Sequence, residues 1–256
     1  MHRTMTLAII TSAFGLLLYI TPVLAEKRVA LVIGNANYKY TEQLASPRAD
    51  AEAVAAALRD IGFQIVRLEH DLTRTEFIQS LRAFAADASN ADWAVFYFAG
   101  HGVGIDGLNY LIPIDAQLDV NRDVRLDAVS LDMVLAVVED AKKLRLVLLD
   151  ASRDLRKFVR ACVRCPSPRG LSRVEPERGT LVGFSARDGE LAREGDGKNS
   201  PYVSALLDHI KTPGLEIRKL FDKVGEDVLA ATAKRQMPFI YGSAAPREDF
   251  FFVPPK

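Results

Sequence analysis

Cysteine is nearly missing from this chain. Among 256 residues there are two, Cys162 and Cys165, in "ACVRCPSP". No second pair stands elsewhere to complete the four ligands of a structural zinc, and no disulfide framework can hold the fold. A redox Cys-x-x-Cys opens a helix after a strand, whereas this one lies in a Pro- and Arg-rich loop. A small loop disulfide, or two thiols without a task, is what the setting supports. An excess of charge is missing too. Lys plus Arg number 33 and Asp plus Glu number 33, so no net field draws nucleic acid or an anionic membrane surface. Internal repeats and low-complexity tracts are absent. Long apolar runs are confined to the start, where Leu7 to Ile20 is uncharged and follows a short basic stretch with His2 and Arg3. Pro22 breaks the run, and Val23-Leu24-Ala25 puts small residues ahead of Glu26. This is the build of a secretory signal peptide over residues 1–25, cleaved before Glu26. A run of about 14 residues falls short of the roughly 20 that cross a bilayer, so a spanning anchor fits less well. No cysteine follows it to take a lipid. The expectation is a periplasmic or secreted domain of residues 26–256, without membrane attachment after cleavage.

What is present reads as one α/β domain. Apolar residues make up 49% of the chain and mean hydropathy is +0.05, ordinary for a globular protein large enough to bury a full core. "RVALVIGN" (28–35), "FQIVRLEHD" (63–71), "DWAVFYFAGHG" (92–102), "LRLVLLDAS" (144–152) and "GTLVGFSA" (179–186) are strands, the third apolar on both faces and so central. Helices lie between them. One starts at Ser46 as N-cap with Pro47 in the first position. A second has Thr73 and Glu76 in capping-box spacing, and a third carries Leu131, Val134, Leu135 and Val138 on one face. Ser200-Pro201 caps a helix to Ile210, and Ile217, Leu220, Phe221, Val224 and Val228 line the last. "GVGIDGLNYLIPID" (102–115) reads as a hairpin turning at Asp106-Gly107, and "QMPFIYGS" and "DFFFV" as extended segments. Such alternation gives a largely parallel sheet with helices on both faces.

In folds of this kind ligands sit beyond the carboxyl ends of the central strands. Two strands end in reactive residues, one at Ala99-Gly100-His101-Gly102 and the other at Asp150-Ala151-Ser152. Flanking glycines expose the His101 imidazole and let the Gly102 N–H approach a substrate. A histidine there is a natural general acid or base; the alternative is a structural histidine closing a strand.

"VALVIGNANY", "SPRADAEAVAAAL", "VFYFAGHG", "DGLNYLIPID", "LRLVLLDASRD" and "GTLVGFSA…GDGKNSPYVSALLDHI" together resemble, in order and spacing, bacterial caspase-like proteins of the metacaspase-like group. The resemblance covers nearly all of residues 27–253 and implies a caspase–hemoglobinase fold with a Cys-His dyad. By it, His101 matches the dyad histidine and Ser152 the catalytic cysteine, since the family's usual run is Asp-x-Cys. The N–H groups of Gly102 and Ser152 match the oxyanion donors. Metacaspases cleave after Arg or Lys because carboxylates line the first specificity pocket; Asp150 matches one and Asp50 another. Asp50 also reads as a helix-capping charge facing the positive end of its helix. The resemblance further implies a peptide or protein partner presenting Arg or Lys, a monomer, and no cofactor. Calcium enters only because some metacaspases bind it, and Asp188, Glu194 and Asp196 lack regular calcium-loop spacing.

The departure at Ser152 leaves three readings. A thiol, with pKa near ~8.5, ionises readily beside an imidazole, whereas a hydroxyl must lose its proton during attack to a well-oriented base. No third residue behind His101 is identifiable from the pattern. The domain is therefore a degenerate peptidase keeping a basic-residue binding site, or a Ser-His endopeptidase, or it recruits Cys162 or Cys165 in place of the lost thiol. The position of the oxyanion donors around residue 152 disfavours the last. His70 and His209 read as surface residues, and the basic run 153–170 as a solvated linker.

Overall fold

Five strands of the core sheet lie parallel. The computed structural model describes residues 26–118, 121–152, 170–188, 190–195, 198–244 and 248–256. The expected signal peptide, Cys162, Cys165 and most of the basic run lie outside the described residues. In chain order the elements are β1 (Arg28–Gly34), α1 (Pro47–Asp60), β2 (Ile65–His70), α2 (Arg74–Ala88), β3 (Trp93–Ile105), β4 (Leu108–Leu111), α3 (Asn121–Asp127), β5 (Val129–Ser130), α4 (Leu131–Val138), β6 (Leu144–Ser152), β7 (Thr180–Phe184), α5 (Pro201–Ile210), α6 (Ile217–Ala231) and β8 (Phe239–Ser243). The sheet runs β2-β1-β3-β6-β7-β8. All neighbours along it are parallel except the edge pair β7–β8, with α1 crossing from β1 to β2, α2 from β2 to β3, and α4 leading into β6.

Alternation along the strands divides the core into two layers. Ala30, Val32, Val95, Tyr97, Leu146 and Leu148 pack under α1, α5 and α6. Leu31, Ile33, Phe96, Phe98, Val147 and Leu149 pack under α2 and α4. Strands buried on both faces have no polar alternation, which is why they read as unbroken apolar runs. The last helix buries Ile217, Leu220, Phe221, Val224 and Val228, as its spacing predicts. The capping box at Thr73 and Glu76 is formed, and the β3–β4 hairpin turns at Asp106 (φ 51) and Gly107 (φ 80), the paired left-handed conformation of a type I′ turn.

Several details differ from the pattern reading. Ser46 occupies the N-cap position, but its backbone is already helical (φ −92, ψ −28) and its hydroxyl makes no cap bond. The short elements α3 and β5 carry no periodic signal. Most consequential is β3, which continues past Gly102 into the hairpin. Its register against β6 steps from Ala99↔Asp150 to Gly102↔Ser152. The extra residue on β3 is a β-bulge at Gly100-His101, a device that re-aims side chains at strand ends.

Candidate functional site

The chain leaves β1 toward β2 on one side and returns to β3 on the other, so the strand order reverses between β1 and β3, the place where folds of this kind bind ligands. Asn35, just after β1, ties this region together. It is fully buried; its N–H donates to Ala99 O at 2.9 Å, its side-chain amide donates to Ile112 O at 3.3 Å, and its Oδ1 accepts from Leu72 N–H at 2.9 Å. The loop that follows carries Tyr38 and Glu42 against the bulge.

His101 is 2% exposed, which corrects the expectation of an exposed imidazole. The flanking glycines serve close packing instead. A Cβ on Gly100 would sit 2.5 Å from the Tyr38 hydroxyl, and one on Gly102 2.8 Å from Ala151 O. Through the space left at Gly100, the Tyr38 hydroxyl accepts the His101 backbone N–H at 2.8 Å and donates to Ile112 O at 3.2 Å. The edge of the Tyr38 ring meets the imidazole with centroids 4.5 Å apart. His101 Nε2 lies 2.7 Å from the backbone carbonyl of Glu42. A carbonyl oxygen only accepts, so Nε2 carries a proton, and in the neutral form of such a ring Nδ1 is the basic nitrogen. The orienting group behind the histidine is thus a main-chain oxygen, which has no signature in a sequence. Ser152 closes β6 with its backbone paired to Gly102, the residue after His101.

On the α1–α5 face, Asp150 at the end of β6 and Asp50 in the first turn of α1 come together, and both are 0% exposed. Ser200, the N-cap of α5, stands between them. Its N–H donates to Asp50 Oδ1 at 2.9 Å and its hydroxyl to Asp150 Oδ2 at 2.6 Å. Asn199 Nδ2 adds a bond to Asp50 Oδ1 at 3.0 Å. Burial first, and the neighbouring charge of Asp150 second, push the Asp50 carboxyl up to about 6, against the opposing pull of Asn199, the Ser200 N–H and the nearby Ser46 hydroxyl. Among the described residues Asp50 Oδ2 has no hydrogen-bond partner and no cation pairs with Asp50. Asp50 lies in the first turn of α1, as the helix-charge reading expects.

The remaining candidates are engaged elsewhere. Glu194 accepts from Ala45 N–H, and Asp188 is exposed, while Asp196 lies outside the described residues. Among the described residues no group of three His, Cys, Asp or Glu converges as a metal site. His209 pairs with Asp227 at 2.6 Å and His70 lies 3.7 Å from Glu52. No described helix is long and apolar enough to cross a membrane.

The profile of the caspase domain matches residues 27–250. The chain belongs to the caspase-domain peptidase family. Part of it is similar to mucosa-associated lymphoid tissue lymphoma translocation protein 1 of Homo sapiens, 34% identical over 93 residues, which are 36% of this chain and 11% of that protein. The Mus musculus homologue is 33% identical over 93 residues, with the same shares of each chain. The match thus spans about a tenth of the length of these curated relatives. The mostly parallel sheet with helices on both faces is the architecture expected of a caspase-like domain, and members of the family act on proteins.

Proposed function

We propose that this domain is an exported caspase-type endopeptidase homologue that binds Arg or Lys side chains and, with Ser152 in place of cysteine, hydrolyses peptides weakly. The observation that carries the reading is the buried pair Asp50–Asp150 beside the strand ends that hold His101 and Ser152. Burying two carboxylates is costly unless donors or cations compensate. A guanidinium or ammonium group reaching the pair would satisfy Asp50 Oδ2 and neutralise the pair. In the reaction, Ser152 Oγ attacks the scissile carbonyl while His101 Nδ1 takes its proton. The Gly102 and Ser152 N–H groups receive the oxyanion, and His101 returns the proton to the leaving amine. The Glu42 carbonyl holds the productive tautomer but carries no full charge to stabilise the imidazolium, as a carboxylate would. That suits a thiol better than a hydroxyl. In the second reading, a working Ser-His endopeptidase, the same contact is the orienting group behind the histidine.

Calorimetric binding of peptide aldehydes tests the pocket. An Arg-terminated ligand should bind in preference to an Asp-terminated one, more tightly at pH 7.5 than at pH 5, because Asp50 gains its charge as pH rises through about 6. Asp150→Ala should weaken binding by roughly 1.5–3 kcal/mol. Equal affinity for both ligands removes the pocket. Export is tested by fractionation with intact-mass measurement, where a periplasmic or secreted product beginning near Glu26 is expected and a cytoplasmic product retaining Met1 refutes it.

A further inference from the structure

Ser200 is fully buried, and its polar atoms have separate partners. Its N–H meets Asp50 Oδ1 at 2.9 Å, its hydroxyl proton is directed at Asp150 Oδ2 at 2.6 Å, and its Oγ accepts Val203 N–H at 3.1 Å as the cap of α5. A hydroxyl has one proton and two lone pairs, so one side chain can donate to the carboxylate and cap the helix together. We infer that Ser200 is the positioning residue of the acidic pocket: it fixes the separation and orientation of the two carboxylates, and through them sets the affinity for a cationic side chain.

This inference rests on the proposed basic-side-chain reading and adds to it a residue that touches neither ligand nor reacting atoms. The carboxylates come from different elements, Asp50 from α1 and Asp150 from β6. The start of α5 supplies a donor to each. The arrangement is also asymmetric. Asp150 receives the short bond from the Ser200 hydroxyl, while Asp50 receives two N–H donors on one oxygen and none on the other. The other titratable group packed against the pair from α5 is Tyr202. Burial, then the charge of Asp150, raises its phenol further above its ordinary range, so it stays neutral throughout. The carboxyl pushed up by burial is that of Asp50, and the Ser200 hydroxyl is a donor held on Asp150.

The test compares wild type, Ser200→Gly and Ser200→Thr in the full mature protein. Glycine is nearly as good an N-cap as serine, so Ser200→Gly removes the hydroxyl while keeping the N–H bond to Asp50 and the helix start. Ser200→Thr keeps the hydroxyl and is the rescue. Carboxyl ¹³C titration of Asp50 and Asp150 in the free protein is the first arm. Ser200→Gly should move the proton uptake of the pair upward by about one pH unit, and Ser200→Thr should restore it. Affinity for an Arg-terminated peptide aldehyde, measured from pH 5 to 8, is the second arm. Ser200→Gly should lose about tenfold, with its pH midpoint moved the same way, and Ser200→Thr should stay within about threefold of wild type. An unchanged titration in folded Ser200→Gly overturns the clamp. A shifted titration with unchanged Arg affinity overturns its link to ligand preference. If wild type shows no preference for the Arg ligand, the basic-pocket reading fails and with it that link, and the titration arm alone decides the clamp.

Discussion

Ser152→Cys is expected to raise turnover of Arg- or Lys-terminated fluorogenic peptides at least about a hundredfold over wild type. His101→Ala in that background should abolish the gain. Glu42 O fixes the His101 tautomer at 2.7 Å, Tyr38 holds the backbone and ring edge, and β6 brings residue 152 beside Gly102. Nothing in that machinery depends on which atom residue 152 carries. A thiol needs only an oriented imidazole to ionise. A hydroxyl needs stabilisation of the imidazolium as well, which a neutral carbonyl gives weakly. If the folded Ser152→Cys protein stays inert, the site lacks more than its nucleophile and the domain is a binding module. If wild type already turns over substantially and Ser152 is labelled by a serine-directed phosphonate, the Ser-His endopeptidase is the right reading.

The second large effect concerns stability. Asp50 is buried with no cation paired to it among the described residues, and its carboxyl is pushed up to about 6 from an ordinary 3.8. A raised carboxyl favours its neutral form in the folded state. The associated stability is fully present below pH 3.8 and is lost as pH rises through 6. Asp50→Asn removes the charge and keeps an oxygen for Asn199 and the Ser200 N–H. The variant should therefore be more stable than wild type at pH 7.5 by roughly 2–3 kcal/mol, with Tm raised by several degrees. At pH 3.5 the two should melt together. The same variant should lose its preference for Arg-terminated ligands, trading binding for stability as functional carboxylates commonly do. A lower Tm at both pH values would mean that Asp50 is held as a favourable anion, and the strained-pocket account would fail.

The sheet and most helices were legible because their burial is simple. Strands such as Leu144–Ser152, covered on both sides, appear as unbroken apolar runs, and Ile217, Leu220, Phe221, Val224 and Val228 can face the core only as a helix. The position of the candidate site was legible for the same reason, since strand ends followed by Gly-His-Gly and Asp-Ala-Ser mark the carboxyl edge. Less visible was anything that depends on which polar atoms meet. Gly100 and Gly102 suggested exposure, yet they make room for the Tyr38 hydroxyl and the Ala151 carbonyl. Glu42 contributes through its backbone, which any residue possesses. Ser200 was recognisable as a helix cap, and its second bond, to Asp150, depends on a strand fifty positions away in the chain. Ser46 shows the converse: a good capping residue by type, it leaves that bond unmade because the helix starts around it. Local chemistry was readable; the long-range pairing of buried polar groups required the folded chain.

The most direct measurement is kcat/KM of purified Ser152→Cys on matched peptides that differ only in ending with Arg or with Asp, at pH 7.5. A dyad served by the Asp50–Asp150 pair predicts cleavage of the Arg substrate at least about a hundredfold faster, with the preference lost in Asp150→Ala. Equal rates on the two substrates, or faster cleavage after Asp, would contradict it.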